Sequence, residues 1–364
     1  MAMTTPQRVR TALRRQQPDR VPVFTFLNPY TPTWQGDDPS YAEVLAACRE
    51  HGDTVYDFYF PSGPIYSAAV PARQSRPLGD GQVEHTLLTP AGPLTSVTRA
   101  DWRGGGTVKR WITQPEDVER LLSIPYEPIR PDLSEVQATQ QCLADQAIGQ
   151  LTFNDPICIA GLVDEMTMAI WTREQRPLLR RVLDLACERL LEELRYCLEA
   201  GLGPLYYFNG PEYALPPLMS PADFEEFVVH YDTQLVRLIH QYPGTQVIIH
   251  CHGRVSRFLE RFAAIGTDGL NVLEPPPLGD TELADAKARI GDRVCLIGNI
   301  QYDDLARGTP DQVDELVQQA MAAGAPGGGF ILCPCAAPYE RPLPPRAAAN
   351  LIRYLEAARR WGSY

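Results

Sequence analysis

From residue 145 onward the chain repeats one unit, a short apolar run followed by a long amphipathic segment. "IGQLTFNDP" leads into "RPLLRRVLDLACERLLEELRYCLEAG", and "PLYYFNGPEY" into "SPADFEEFVVHYDTQLVRLIHQY". "TQVIIHCHG" precedes "RVSRFLERFAAIG", and "GLNVLEPPPLGD" precedes "TELADAKARIG". "RVCLIGNI" and "GGFILCPCAAP" open two further units of the same kind. The runs are continuously apolar rather than alternating, as in strands covered on both faces of a parallel sheet. Ser220-Pro221 and Thr309-Pro310 read as an N-cap followed by proline at the first helical position. Gly201, Gly266, Gly291 and Gly324 read as residues that close the preceding helices. Two earlier runs, "VPVFTFL" at 21–27 and "TVYDFYF" at 54–60, bring the strands to eight. Eight parallel strands with interleaved helices predict a (β/α)8 TIM barrel. Between the second and third strands, "QVEHTLLTPAGPLTSVTRA" reads as a β-hairpin inserted over about residues 80–103. Neither a low-complexity tract nor a linker divides the chain, so a single domain over 1–364 is expected.

Charge and composition narrow the function. A net charge of −12 removes the broad basic face that nucleic acid binding needs. No run approaches the roughly 20 apolar residues of a membrane span. The N-terminal "MAMTTPQRVRTALRRQQPDR" lacks the apolar core of a secretory signal and reads as an amphipathic helix around Val9 and Leu13. Nine cysteines without a regular spacing point to a reducing cytoplasm rather than a disulfide framework.

In a barrel of this kind, catalytic groups gather at the C-terminal strand ends. Polar residues stand at nearly every such end: Asn154 and Asp155, Asn209 and Glu212, His250 and His252, Asn271 and Glu274, Asn299, and Cys333 and Cys335. Side-chain alternation sends His250 and His252 to one side of their strand and Cys251 to the other. The same rule pairs Cys333 with Cys335. Imidazole and thiolate are the ligands zinc prefers, so these four side chains form a candidate metal site across the barrel mouth. Glu212 could be a further ligand, a general base, or a partner for Arg254. Glu274 before Pro275-Pro276-Pro277 could instead accept backbone hydrogen bonds from a rigid loop. Asp53 and Asp57 are further rim acids. Asn209 and Asn299 suit a heteroaromatic or amide group, and the remaining cysteines read as small buried hydrophobes.

The chain resembles the uroporphyrinogen decarboxylase superfamily, in particular its cobalamin-linked methyltransferase branch. The segments that carry the resemblance are "RVRTALRRQQPDRVPV", "PLMSPADFEEFV", "HCHG" with "GTDGLNVLEPPPLGD", "LIGNI", "GTPDQVDELV" and "GGFILCPCAAP" with the later Asn350. The resemblance independently implies a (β/α)8 barrel. True uroporphyrinogen decarboxylases carry arginines just after the first strand, whereas "VPVFTFLNPYTPTW" has none. The methyltransferase branch instead holds zinc on a His-x-Cys after strand five and a Cys after strand eight. Here His250 stands at the histidine, His252 replaces the first cysteine, and ungapped alignment puts Ala336 at the last, with Cys333 and Cys335 beside it.

The function expected is therefore zinc-dependent methyl transfer between a methyl-corrinoid on a separate protein and a thiol or tetrahydrofolate-type acceptor. Glu212, Asn209 and Asn299 are the catalytic candidates. Asn154, Asp155, Arg254, Asn271 and Glu274 are the substrate-binding candidates. No corrinoid-binding "DxHxxG" stretch is present, so any cobalamin must arrive on a partner, and the resemblance allows a homodimer. The alternatives are a metal-independent decarboxylase or lyase using Arg254 or Arg341, and a non-catalytic pterin- or corrinoid-related binding protein. Whether those two arginines face the mouth separates the first alternative from methyl transfer.

Overall fold

The computed structural model describes residues 2–61, 65–100 and 105–364. Its strands are β1 (Thr54–Tyr59), β2 (Gln74–Gly79), β3 (Gln82–Thr89), β4 (Gly92–Arg99), β5 (Gly106–Lys109), β6 (Ala147–Asn154), β7 (Leu205–Asn209), β8 (Gln246–Cys251), β9 (Gly269–Val272), β10 (Cys295–Ile300) and β11 (Phe330–Pro334). Seven of them form one parallel sheet in the order β1-β6-β7-β8-β9-β10-β11. Helices lie between successive strands, the longest being Arg176–Glu199, Pro310–Gly324 and Pro345–Trp361. The sheet curls, and the architecture is compatible with a TIM-like barrel.

The expected eighth strand, residues 21–27, is not one. It makes a single parallel bridge, Val23 to Leu332. Phe24 N–H donates to the Leu332 carbonyl and Leu332 N–H to that of Pro22, while Asp53 N–H donates to the Val23 carbonyl. The stretch thus touches both edges of the sheet without extending either ladder. Three local causes combine. Pro22 has no N–H to give, the Val23 N–H goes to the Asp53 carboxylate (3.0 Å), and Phe26 turns out of the extended region at φ 56°.

The stretch read as a hairpin over 80–103 is only partly described, because residues 101–103 lie outside the described residues. β3 and β4 pair antiparallel through the Pro90-Ala91 turn, but β2 and β5 flank them, so the extended region is a four-stranded antiparallel sheet.

Period-two alternation sorts the parallel sheet into two faces. Val247, Ile249 and Cys251 of β8 join the outer core beneath the helices, with Phe153, Phe208, Leu270 and Leu296 of neighbouring strands. Ile148, Leu205, Tyr207, Ile248, Cys295, Ile297, Ile331 and Cys333 form a separate inner cluster. The helix Thr5–Leu13 completes that cluster with Val9, Ala12 and Leu13. A capping box, Thr4 with Gln7, and a proline in its first turn start this helix. Its Arg8 holds Asp53 at 2.6 Å, and Arg20 holds the other Asp53 oxygen at 2.6 Å.

The expected caps at Ser220 and Thr309 form, each as a capping box. Gly201 and Gly266 adopt the left-handed conformation of a helix-closing residue. Gly291 and Gly324 do not. Gly291 stays in the right-handed region at φ −64°, and Gly324 is the last residue of its helix.

Candidate functional site

The inner face of the curled sheet changes character toward its C-terminal end. Ile248 gives way to His250 on β8, and Leu205 to Tyr207 and Asn209 on β7. Two cavities open there. The smaller, about 240 Å³, is lined by His250, His252, Cys335, Asn209, Tyr207 and Phe26 among others. The larger, about 650 Å³, runs on from it along β1 and the 21–27 stretch. The two share Phe26, Asp57, Tyr59, Gln150, Tyr207 and Ala337. Among the described residues no lysine or arginine lines either of them.

The imidazoles of His250 and His252 meet edge to face, with ring centroids 4.6 Å apart at 86°. Each is fixed through Nδ1. Asn271 donates from Nδ2 to the Ile297 carbonyl (3.2 Å), which turns its Oδ1 toward His250 Nδ1 at 2.7 Å. His250 Nδ1 must therefore carry the proton, leaving Nε2 as a lone pair. The Tyr207 hydroxyl donates to the same Asn271 oxygen (2.8 Å) and sits 2.5 Å from His250 Nδ1. Burial, reinforced by the neighbouring His252, lowers His250 to about 4, so this ring is neutral at ordinary pH.

His252 is the opposite case. Its Nδ1 stands 3.0 Å from Glu274 Oε1, and that hydrogen bond raises its pKa. Burial pushes Glu274 upward, but bonds from His252 and the Gly253 N–H (2.6 Å) outweigh it and hold the carboxylate below its ordinary value. Glu274 thus partners His252 and the Gly253 N–H rather than the backbone of its own proline loop. Among the described residues neither His250 Nε2 nor His252 Nε2 has a hydrogen-bond partner.

The sulfur side is less complete. Cys335 lines the small cavity, yet its thiol is directed toward the Val272 carbonyl at 3.9 Å. Cys333, fully buried in the inner cluster, lines neither cavity. Burial raises both thiols. Among the described residues no three His, Cys, Asp or Glu side chains stand grouped so as to hold a metal ion. The two imidazoles suit zinc in donor type and in their orienting partners, whereas the four-ligand set expected from strand geometry is not assembled.

The other candidates divide. Asn209 lines the small cavity and Asn271 the larger one. Asn299, in register with Cys333 on β11, lines neither. Asn154 is exposed at the end of β6, where its carbonyl accepts from the Tyr66 hydroxyl. Asp155 is buried away from both cavities, its Oδ1 accepting the Cys158 N–H at 3.1 Å. Gly210 makes this packing possible, since a Cβ there would lie 2.0 Å from Asp155 Oδ1. Glu212 has a buried oxygen without a partner, and burial raises its pKa. Arg254 is exposed and lines neither cavity. Arg341 lies over the Trp34 ring at 5.8 Å and 3.8 Å from Asp38, also outside both. Asn350 donates to the Leu305 and Gly308 carbonyls and ties its helix to a loop.

Sequence reasoning passed over Tyr207, Gln150, Tyr59 and Phe26. Tyr207 read as one aromatic in an apolar strand, although it shares the parity of Asn209. Phe26 reaches the site because of its left-handed backbone, which presents the ring edge-on to His250 at 6.5 Å.

The profile of the uroporphyrinogen decarboxylase (URO-D) family matches residues 103–343, more than half of the chain. The chain belongs to the URO-D family. A uroporphyrinogen decarboxylase from Pseudoalteromonas translucida is 26% identical over 155 residues, 42% of this chain and 41% of that protein. One from Sodalis glossinidius is 28% identical over 238 residues, 62% of this chain and 64% of that protein. The chain thus aligns with less than two thirds of the length of these relatives. A methyltransferase from Methanosarcina mazei superposes with a TM-score of 0.63 over 98% of this chain and 99% of that one, at 18% identity. Identity that low speaks for the shared URO-D-like fold alone. Among the described residues no helix is long and apolar enough to cross a membrane.

Proposed function

We propose that this member of the URO-D family is a methyltransferase-like enzyme working in the mouth bounded by His250, His252 and Cys335. In this reading His250 and His252 bind zinc through Nε2, with Cys335 as the protein's sulfur ligand after turning from Val272. The observation that carries it is the paired imidazoles, each anchored at Nδ1 and without a partner at Nε2. Zinc, when bound, would favour the thiolate form of a thiol acceptor at neutral pH. Burial keeps His250 neutral, and Asn271 fixes its tautomer. Glu274 orients His252, and Asn209 and Tyr207 flank the space an acceptor would enter. The methyl group is proposed to come from a corrinoid on a separate protein, with a thiol or a tetrahydrofolate-type molecule as its acceptor. Among the described residues no cation lines the cavities, which weighs against a porphyrinogen with several carboxylates, and the placement of Arg254 and Arg341 outside both weighs against a small carboxylic acid.

Metal analysis of protein purified without added metal tests the reading, with close to one equivalent of zinc expected. His252→Ala should lose it, and Glu274→Gln should weaken zinc affinity about tenfold or more by releasing the ring it orients. Less than about a tenth of an equivalent, unchanged in His252→Ala, sinks the zinc assignment.

A further inference from the structure

Among the described residues, one carboxylate of the larger cavity has no cation beside it. Asp57 points inward from β1 and among the described residues accepts side-chain hydrogen bonds from neutral donors, Thr152 Oγ1 at 2.5 Å, Gln150 Nε2 at 3.3 Å and the Tyr59 hydroxyl, while burial raises its pKa. Two other carboxylates line the cavity. Asp53 is already neutralised by Arg8 and Arg20 at its far end, and Glu135 is exposed to water. Aromatic side chains share the lining with the remaining carboxylate: Phe26, Tyr59 and Tyr207 line both cavities, and Phe24 and Tyr56 the larger. The volume, about 650 Å³, suits a small organic molecule.

A partly buried carboxylate without a counter-ion, set among π faces, favours a cation that is weakly hydrated. A compact ammonium such as lysine's would keep much of its water. An ammonium bearing methyl groups sheds water easily and presents polarised C–H bonds to the rings. Neutral ligands could bond to Asp57 through N–H groups, but they would leave its charge in place.

We infer that the larger cavity binds a small organic cation of the methylated-ammonium class, with Asp57 as its counter-ion and Phe26, Tyr59 and Tyr207 as its walls. The binding of this cation stands apart from the methyl-transfer reading, whose donor and acceptor are other molecules. The ligand differs from a porphyrinogen in sign of charge and from a thiol in the group recognised.

Calorimetric titration of the full chain with tetramethylammonium, choline and 3,3-dimethylbutanol tests the inference, the last being choline's neutral isostere. Choline should bind at least about tenfold tighter than the isostere, and Asp57→Asn should erase that preference. Tyr59→Leu provides a second arm if Asp57→Asn fails to fold, because Tyr59 is 68% exposed and its loss leaves the packed interior intact. It should weaken choline several-fold and leave the isostere unchanged. Equal binding of choline and isostere, no binding of either cation, or a preference that survives in the variants overturns the inference. Zinc content measured on the same preparation separates the two readings. Cation binding without zinc removes only the metal assignment, and zinc without cation binding removes only this one.

Discussion

Asp232 is 3% exposed, and neither of its carboxyl oxygens has a hydrogen-bond partner. Burial raises its pKa to about 8, and it raises the nearby Asp155 well above the ordinary value too. A carboxyl group kept neutral in the fold but ionised in the unfolded chain contributes stability fully only below its unfolded pKa. That contribution disappears as pH rises through the folded value near 8. Asp232→Asn removes the ionisation while keeping the shape. Denaturant titrations should show it close to the parent near pH 4 and more stable by about 1–3 kcal/mol near pH 8. Parallel pH profiles for the two proteins would refute the assignment. The same residues mark a limit of reading strand ends from sequence. Asp155 closes β6 as the pattern implied, but it lies one position beyond Asn154 and starts a short helical turn, where its side chain caps the turn. Parity along a strand says nothing about a residue already past it.

At the scale of elements, the strand pattern was legible because β6 to β11 are buried along nearly their whole length and so read as apolar runs. β6 to β11 all lie where the runs stand, and the inward parity of His250 and outward parity of Cys251 follow from alternation alone. The 21–27 stretch read as a strand for the same reason and is not one, because its backbone bonds are diverted. The diversion runs through Asp53, which accepts from Arg8, Arg20, Thr5 and the Val23 N–H together. No local pattern links these residues, so only the fold reveals the cluster. Asp53→Ala would leave Arg20 without its carboxylate, reduce Arg8 to its pair with Asp19, and free the Val23 amide. Thermal or denaturant unfolding should show a loss of about 3–5 kcal/mol. A loss below 1 kcal/mol would mean that water replaces the carboxylate readily.

On the scale of the whole molecule, the sequence singled out His250 and His252, and the fold lines one cavity with both. Cys335 lines it too. What the sequence could not supply is distance: Cys333 shares the parity of Cys335, yet one belongs to the inner packing and the other to the cavity. The lining of the larger cavity was equally hidden, because Asp57, Gln150 and Phe26 come from segments far apart in the chain. Only the folded arrangement shows that these segments leave a carboxylate in an aromatic-lined cavity with no cation beside it among the described residues.

Between β11 and β1 the wall of that cavity consists of one bridge residue and a few backbone bonds, where every other interval of the sheet has a full ladder. Opening this interval breaks far fewer bonds than parting β7 from β8, so it is the least costly local unfolding route in the sheet. Amide exchange should therefore run faster at Phe24 and Asp53 than at Ile248 or Leu270, and equal protection would contradict it. Phe24, Phe26 and Leu27 line the cavity directly behind this interval. A breathing side door there would let a molecule reach Asp57 without passing the two histidines.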